Sequence, residues 1–125
     1  MLQKLLLIAL AGSIGTLARY GLGGLVQAQA GKIFPWGTVV VNLSGCLLFG
    51  IVWSSLEGRW PTSSETRTVI LIGFMGAFTT FSTFVFETEE LLHDSEWLLA
   101  LGYFSLHNVG GLAALVAGLA LGRFL

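Results

Sequence analysis

The sequence predicts an all-α integral membrane protein with four transmembrane helices in each subunit. Hydrophobic residues make up 54% of its 125 residues and charged residues only 10%, a balance outside the range of soluble globular domains. The mean hydropathy is +0.83. Four apolar stretches are each long enough to cross a bilayer, and short polar connections separate them. We therefore expect residues 1–125 to form a single transmembrane domain.

The first predicted helix covers about 2–27. Its start, Lys4 followed by an apolar run, is typical of a signal peptide, but the run is too long for one, so we expect a retained helix. Gly12 and Thr16 lie four residues apart, which permits close approach of another helix. Arg19 lies near the predicted end. Its guanidinium can reach the membrane interface or attract anions to a pore mouth, and the sequence leaves both interpretations open.

The second predicted helix covers about 36–56. Phe34 and Trp36 are typical of an anchor at the membrane interface, and Pro35 suits the first turn of a helix. Asn42 is the one strongly polar residue of this helix. Because an unpaired amide is costly in hydrocarbon, Asn42 must bond protein, water or a ligand. It either bonds another helix or presents its NH₂ group to an anion.

The third predicted helix covers about 67–92, after a polar connection. Within it, residues 73–87 read GFMGAFTTFSTFVFE and combine two glycines, four hydroxyl side chains and five phenylalanines. The glycines and the adjacent threonines weaken helix formation, so we predict a break near 76–80. A membrane tolerates such a break only where the freed backbone groups find partners. The break therefore indicates a pathway or an ion site.

Beyond the break, helical spacing places Phe81 and Phe84 on one face, about 60° apart. Thr79, Thr83 and Glu87 follow at steps of four on a neighbouring face. The edge of a phenyl ring is the positive end of its quadrupole and a hydroxyl donates hydrogen bonds, so both suit a small anion. Ordinary packing explains Phe81 and Phe84 equally well. We assign the other three phenylalanines of the stretch to packing.

The fourth predicted helix covers about 97–124. Small residues recur every four positions and form a packing stripe: Gly110, Ala114, Gly118 and Gly122. Tyr103 and His107 lie one turn apart in a polar patch. We interpret His107 as a histidine bonded within a helix interface, because no second ligand stands at metal spacing.

The sequence contains no arrangement typical of an enzyme, and a net charge of −1 without a basic run excludes a nucleic-acid surface. Four helices bury little surface alone, so we expect the glycine stripes to join two chains in a homodimer. With both termini on one side of the membrane, that side carries most basic residues and Lys32 lies opposite, which weakly favours cytoplasmic termini. The basic residues on the terminal side are Lys4, Arg59, Arg67 and Arg123.

Three segments carry a family resemblance: GTLARYG, PWGTVVVNLSG and, above all, GAFTTFSTF. Together they resemble the Fluc/CrcB family of bacterial fluoride channels along the whole chain. The resemblance implies a fluoride-selective passive channel in the bacterial plasma (inner) membrane, which exports cytoplasmic fluoride and protects against its toxicity. It also implies an antiparallel, dual-topology homodimer with two pores. The uneven distribution of basic residues gives no independent support to dual topology.

The resemblance also implies residue roles. It assigns the fluoride pore to Asn42, Phe81, Ser82, Thr83, Phe84 and Tyr103. It assigns a structural sodium ion at the dimer interface to the backbone carbonyls of Gly76 and Thr79 from both subunits. Arg19, Glu87 and His107 are candidate vestibule residues whose roles stay open.

Two other functions fit parts of the sequence. A small dual-topology proton-coupled multidrug exporter also has four short helices, but it needs a deep carboxylate. The first helix here has Arg19 and no acid, and Glu87 lies away from the centre of its helix. A subunit that only packs within a larger complex would explain the glycine stripes. It would leave the hydroxyl and phenylalanine stretch without a purpose.

Overall fold

The computed structural model describes residues 1–58 and 62–124, and in this part of the chain short connections join helices without any strand. We label the described helices α1 to α5, in the order Leu2–Ala30, Trp36–Gly58, 64–78, Phe81–His93 and Trp97–Gly122. Helices α3 and α4 together make the third span. Four segments of the described chain are long and apolar enough to cross a membrane. The predicted all-helical, four-span architecture is confirmed.

The first connection is held by the side chain of Gln27. Helix α1 continues to Ala30, beyond the expected end near residue 27, and ends at Gly31, whose φ of 88° is readily adopted only by glycine. Gln27 Oε1 accepts from the Gly37 N–H at 2.9 Å, and its Nε2 donates to the Phe34 carbonyl at 3.0 Å. This amide ties the connection to the first turn of α2.

Phe34 belongs to the interior of the subunit rather than to an outward anchor. Its ring centroid lies 5.5 Å from that of Tyr103 and 4.7 Å from that of Trp36. Trp36 itself is 42% exposed, so only this member of the predicted aromatic anchor faces outward. The second connection cannot be compared in the same way. Its residues Arg59, Trp60 and Pro61 lie outside the described part of the chain.

The third span begins at Ser64, earlier than the expected start near residue 67. The cause is Ser63, whose hydroxyl caps the helix by accepting from the Thr66 N–H at 3.1 Å. Helix α3 then continues as a π-helical segment, Val69–Met75, and one further α-helical turn. A second π-helical segment, Leu106–Gly110, lies within α5. Such segments are frequent at functional sites.

Glycines set the closest helix contacts. A Cβ atom on Gly118 would overlap the Leu47 backbone, and one on Gly50 would overlap the backbone of α5. In the same way, a Cβ atom on Gly15 of α1 would overlap the Phe74 carbonyl of α3. Close backbone approach is how membrane helices gain packing energy without a hydrophobic driving force. The predicted stripe on α5 is therefore used against α2 within one subunit, and it gives no support to association between chains.

The core of the chain lies between α2, α4 and α5. It is formed by Val39, Phe84, Leu91, Ala100 and Tyr103. Outward faces carry large exposed apolar side chains, such as Leu10, Ile14 and Leu17 of α1. Lipid tails are as apolar as leucine, so these faces are compatible with a bilayer.

Candidate functional site

The third span is interrupted at Thr79 and Thr80, inside the predicted range 76–80. Their backbones are extended, with φ −86° and ψ 159° at Thr79 and φ −145° and ψ 116° at Thr80. An uninterrupted helix would pair the Thr80 N–H with the Gly76 carbonyl. Instead the Thr80 N–H donates to Asn42 Oδ1 at 2.8 Å, and Asn42 Nδ2 donates to the Thr80 carbonyl at 2.9 Å. One amide of α2 thus pairs both backbone polar groups of Thr80.

This pairing matches the first of the two interpretations of Asn42, a hydrogen bond between helices. It does not exclude the second, because the NH₂ group has two hydrogens and the Thr80 carbonyl needs only one. Asn42 is partly buried and does not line the cleft described below. Asn42 therefore stabilises the break at Thr80 by pairing both of its backbone polar groups.

Thr80 links the hydroxyl groups at the start of α4. Its Oγ1 caps the helix by accepting from the Thr83 N–H at 3.3 Å. The same oxygen lies 2.9 Å from Thr83 Oγ1 and 3.4 Å from Ser82 Oγ. Three hydroxyls carry three hydrogens, and two hydroxyl contacts use two at most. At least one hydroxyl hydrogen of this cluster is left to donate to an anion.

Glu87 joins three helices through hydroxyl groups. Thr38 Oγ1 of α2 donates to Glu87 Oε1 at 3.0 Å, and the Tyr103 hydroxyl of α5 donates to Glu87 Oε2. Glu87 is partly buried, while Tyr103 is fully buried behind it. The carboxylate therefore faces Tyr103 on one side and the cleft on the other.

A cleft of about 720 Å³ lies beside these groups, between α1, the start of α2 and α4. The charged side chains that line it, among the described residues, are Arg19, Lys32, Glu87, Glu90 and Asp94. Its threonine hydroxyls come from Thr16, Thr38, Thr80 and Thr83. Arg19 makes no ion pair with any described residue. Arg19 is thus a local positive charge in a cleft whose lining carries three carboxylates against two cations.

The two predicted pore phenylalanines touch but differ in exposure. Their ring centroids lie 5.6 Å apart with planes tilted by 52°. Phe81 is 75% exposed, whereas Phe84 is 5% exposed. Phe84 packs on His107 with centroids 4.5 Å apart and on Tyr103 at 5.6 Å. One ring thus belongs to the subunit core and the other is available to a neighbour.

His107 is bonded within its own helix. Its Nδ1 lies 3.1 Å from the Tyr103 carbonyl, and because a carbonyl only accepts, Nδ1 carries the hydrogen of that bond. Its Nε2 is buried without a hydrogen-bond partner among the described residues. His107 does not line the cleft, and its ring packs against those of Phe84 and Tyr103.

Gly76 and Thr79, the predicted sodium ligands, lie at the carboxyl end of α3. The last carbonyls of a helix lack partners within the helix, and the bond between Thr80 and Asn42 releases the Gly76 carbonyl. Gly76 is exposed on the subunit surface. Carbonyl oxygens are ligands that hard cations accept, so these two residues fit a sodium ion. Among the described residues, no three His, Cys, Asp or Glu side chains form a metal cluster.

The structure brings Thr83, Glu87 and Arg19 to one cleft. The other predicted site residues do not line it: Ser82, Asn42, Phe81, Phe84, Tyr103 and His107. Sequence reasoning missed Thr80, Thr38 and Gln27. The preference of threonine for the N-cap position could have identified Thr80. Thr38 and Gln27 carry no comparable local signal, because their partners lie on other segments.

Comparison with known proteins identifies the family. The family model described as CrcB-like protein, Camphor Resistance (CrcB) matches residues 6–119. A protein of Solidesulfovibrio magneticus named Fluoride-specific ion channel FluC is 56% identical over 125 residues, all of both chains. Proteins of the same name from Nitrosococcus oceani and Desulforapulum autotrophicum are 52% and 50% identical, also over all of both chains. This chain therefore belongs to the CrcB family.

Proposed function

We propose that this chain is a fluoride-selective passive ion channel, and not an enzyme. The observation that carries the proposal is its identity of 50% to 56%, over its full length, to relatives named as fluoride-specific ion channels. The proton-coupled exporter is not favoured, since those relatives are named as channels. The geometry supports the proposal because the described polar groups near the break include donors for a small anion.

Selectivity follows from the size and number of these donors. The spare hydroxyl hydrogen at Thr80, Ser82 and Thr83, the second N–H of Asn42 and the ring edges of Phe81 and Phe84 replace the hydration of fluoride. A larger anion such as chloride fits poorly among donors spaced for a small one. Arg19 and Lys32 line the cleft beside Thr80 and Thr83, but three carboxylates in the same cleft offset their charge, so the ion is not trapped by an unopposed cation.

The second part of the proposal is an antiparallel, dual-topology homodimer with two pores. Its support is the outer face of the subunit, where Phe81 is 75% exposed and the polar Ser82 and Asn108 are exposed within spans. Polar side chains in a membrane interior face protein or water rather than lipid. A second, inverted copy covers these groups and supplies the missing wall of each pore.

A sodium ion at the dimer interface completes the assembly. The Gly76 and Thr79 carbonyls of both subunits would hold it. It would supply positive charge where the carboxyl ends of two α3 helices, each with a negative dipole end, come together. Its role is structural.

The proposed location is the bacterial plasma (inner) membrane, where the channel exports cytoplasmic fluoride. Hydrogen fluoride crosses membranes as a neutral molecule in acid surroundings and dissociates inside the cell. A passive anion pore lets the trapped fluoride leave along its gradient, which protects the cell from toxicity.

The test is anion efflux from liposomes that contain the purified protein, with a fluoride electrode outside and chloride-loaded vesicles in parallel. We expect rapid fluoride release with negligible chloride release.

Phe81→Ile and Phe84→Ile should reduce fluoride release while the dimer stays assembled, because each removes a ring edge. Phe86→Ile, on the same helix and 60% exposed, is the matched control and should release fluoride as wild type does. No fluoride release from folded, dimeric wild-type protein would overturn the proposal.

A further inference from the structure

The side chain of Gln27 bridges the first connection, residues 31–35. Its Nε2 donates to the Gly31 carbonyl and, at 3.0 Å, to the Phe34 carbonyl. Its Oε1 accepts from the Gly37 N–H at 2.9 Å. A side-chain amide has two N–H hydrogens and one acceptor oxygen. Both hydrogens and the oxygen of Gln27 are therefore engaged by this one connection and the start of α2.

The bond to Gly37 takes the place of a helix cap. The first N–H groups of a helix have no partner within it, and the residue before α2 is Pro35, whose side chain has no acceptor. Gln27 supplies the missing oxygen from α1. The two helices are held together by a separate contact, because a Cβ atom on Gly37 would overlap the Gly23 carbonyl. Loss of the Gln27 amide should therefore free the connection while α1 and α2 stay packed.

The connection forms one wall of the cleft. Phe34 packs into the interior, where its ring centroid lies 5.5 Å from that of Tyr103. Its neighbours Lys32 and Pro35 line the cleft, as Gln27 does. Among the described residues, Lys32 is one of two cations in that lining, which also carries three carboxylates. A displacement of the connection would thus change the charge of the cleft.

Lys32 has no ionic partner that would keep it at the cleft. It is exposed and makes no ion pair with any described residue. The backbone of the connection, which the Gln27 amide holds, therefore decides where its ammonium group lies. A cation in a cleft with low-dielectric walls raises the local concentration of anions and the rate at which they enter.

We propose that Gln27 is a positioning residue for anion entry, whose amide fixes the first connection so that the ammonium group of Lys32 stays at the cleft. The inference rests on the proposed fluoride channel function and adds a residue outside the break to it. Without the amide bonds, the connection is tied only at its ends and through the Phe34 ring. Lys32 then spends less time at the cleft, and fewer anions enter.

The first test is a double-mutant cycle on fluoride efflux from liposomes, measured per folded subunit. Gln27→Met keeps the length of the side chain but removes its hydrogen bonds, and Lys32→Met removes the charge. At about 0.01 M salt, where charges act over about 30 Å, each should slow efflux about threefold, the effect of one partly screened charge. The double variant should be no slower than Lys32→Met alone. At about 1 M salt the screening length is about 3 Å, so every variant should match wild type within about 1.5-fold.

The second test measures the connection directly and does not depend on ion flux. Trypsin cleaves after lysine once the local backbone opens. The rate at which fragment 1–32 appears in detergent therefore reports how firmly the connection is held. We expect Gln27→Met to raise this rate at least about fivefold, the change produced by the loss of one hydrogen bond.

Gln29→Met is the matched control for both tests. Gln29 lies two residues further along α1, is exposed, does not line the cleft and makes no hydrogen bond to any described residue. Efflux and cleavage should both match wild type. If Gln27→Met does not yield folded protein, Gln27→Asn replaces it, because its shorter amide cannot reach Phe34 and Gly37 at once.

Three results would overturn the inference. They are an equal loss of efflux from the Gln27 substitution with and without Lys32, a loss that persists at high salt, and an unchanged rate of cleavage after Lys32. Failure of the proposed function is distinct, since it is the absence of fluoride efflux from wild-type protein, and the cleavage result does not depend on it.

Discussion

The two halves of the third span are held in the fold by different interactions. Helix α3 lies against α1 through backbone contacts, where Gly15 meets the Phe74 carbonyl and Gly73 meets the methyl group of Ala11. Helix α4 is held by side-chain hydrogen bonds at Thr80 and Glu87 and by the ring of Phe84. Contacts of the first kind depend on shape, and an atom added at Gly15 or Gly73 would crowd them. Bonds of the second kind can exchange partners, so the chemistry of an anion pathway falls in α4.

The largest effect is expected from filling the α1–α3 contact. In Gly15→Ala the added methyl group would overlap the Phe74 carbonyl, which requires the two backbones to separate. We expect a loss of about 3 kcal/mol in the free energy of unfolding, at the upper end of the cost of overpacking. A lower midpoint of thermal unfolding in detergent would show it.

Gly21→Ala is the control on the same helix, because nothing lies within 4 Å of the added methyl group. We expect stability to be unchanged or to rise by up to about 1 kcal/mol from helix propensity. Equal destabilisation by the two substitutions would mean that crowding at the α1–α3 contact is not what lowers the stability of Gly15→Ala.

A smaller loss of stability, with a larger loss of flux, is expected at the junction of the two halves. Asn42→Ala leaves the N–H and carbonyl of Thr80 without their partner, at a cost of about 2 kcal/mol. Fluoride efflux per folded subunit should fall more than tenfold, since the position of the hydroxyl cluster is lost. Ser13→Ala is the control, because the Ser13 hydroxyl bonds the Ala9 carbonyl of its own helix, on a part of α1 that does not line the cleft. Normal efflux from folded Asn42→Ala protein would contradict this role.

The smallest effect is expected just past the end of α4, at Ser95, which does not line the cleft. Ser95 has φ 62°, in the left-handed region, and the Glu96 N–H donates to the Leu91 carbonyl at 2.9 Å around it. Glycine is the preferred residue at this position of a helix end. Ser95→Gly should therefore stabilise the subunit by about 0.5 kcal/mol without changing fluoride efflux. Ser13→Gly, inside α1, should destabilise it by a similar amount.

The broad features of the third span could be predicted from its composition. Hydropathy alone predicts that it crosses the membrane, and paired glycines and threonines indicate the position of the break. The partner of the break could not be predicted, since Asn42 and Thr80 are 38 residues apart. A long-range pair of this kind depends on how the helices pack, and the local spacing of residues does not specify that packing.

Two site predictions illustrate the same limit. The stripe of Thr79, Thr83 and Glu87 assumed that the helix resumes by Thr79, but the backbones of Thr79 and Thr80 are extended and α4 begins only at Phe81. The hydroxyl of Thr80, and not that of Thr79, contacts the Thr83 hydroxyl. Likewise, the 60° spacing of Phe81 and Phe84 predicted one shared face, yet one ring is 75% exposed and the other 5%. The neighbouring helices determine which residues of a helix are buried, so residue spacing alone cannot predict it.

The central claim is that shape in α3 sets stability whereas hydrogen bonding in α4 sets permeation. Its most direct test is fluoride efflux per folded subunit for Gly73→Ala and Thr80→Val, measured beside wild type. Gly73→Ala crowds the Ala11 methyl group at 3.0 Å, so it should lower the yield of folded protein while efflux per folded subunit stays within about twofold. Thr80→Val removes the helix cap and the hydroxyl link, so it should cost only about 1 kcal/mol yet reduce efflux at least about tenfold. The reverse pattern, with flux lost in Gly73→Ala and kept in Thr80→Val, would contradict the account.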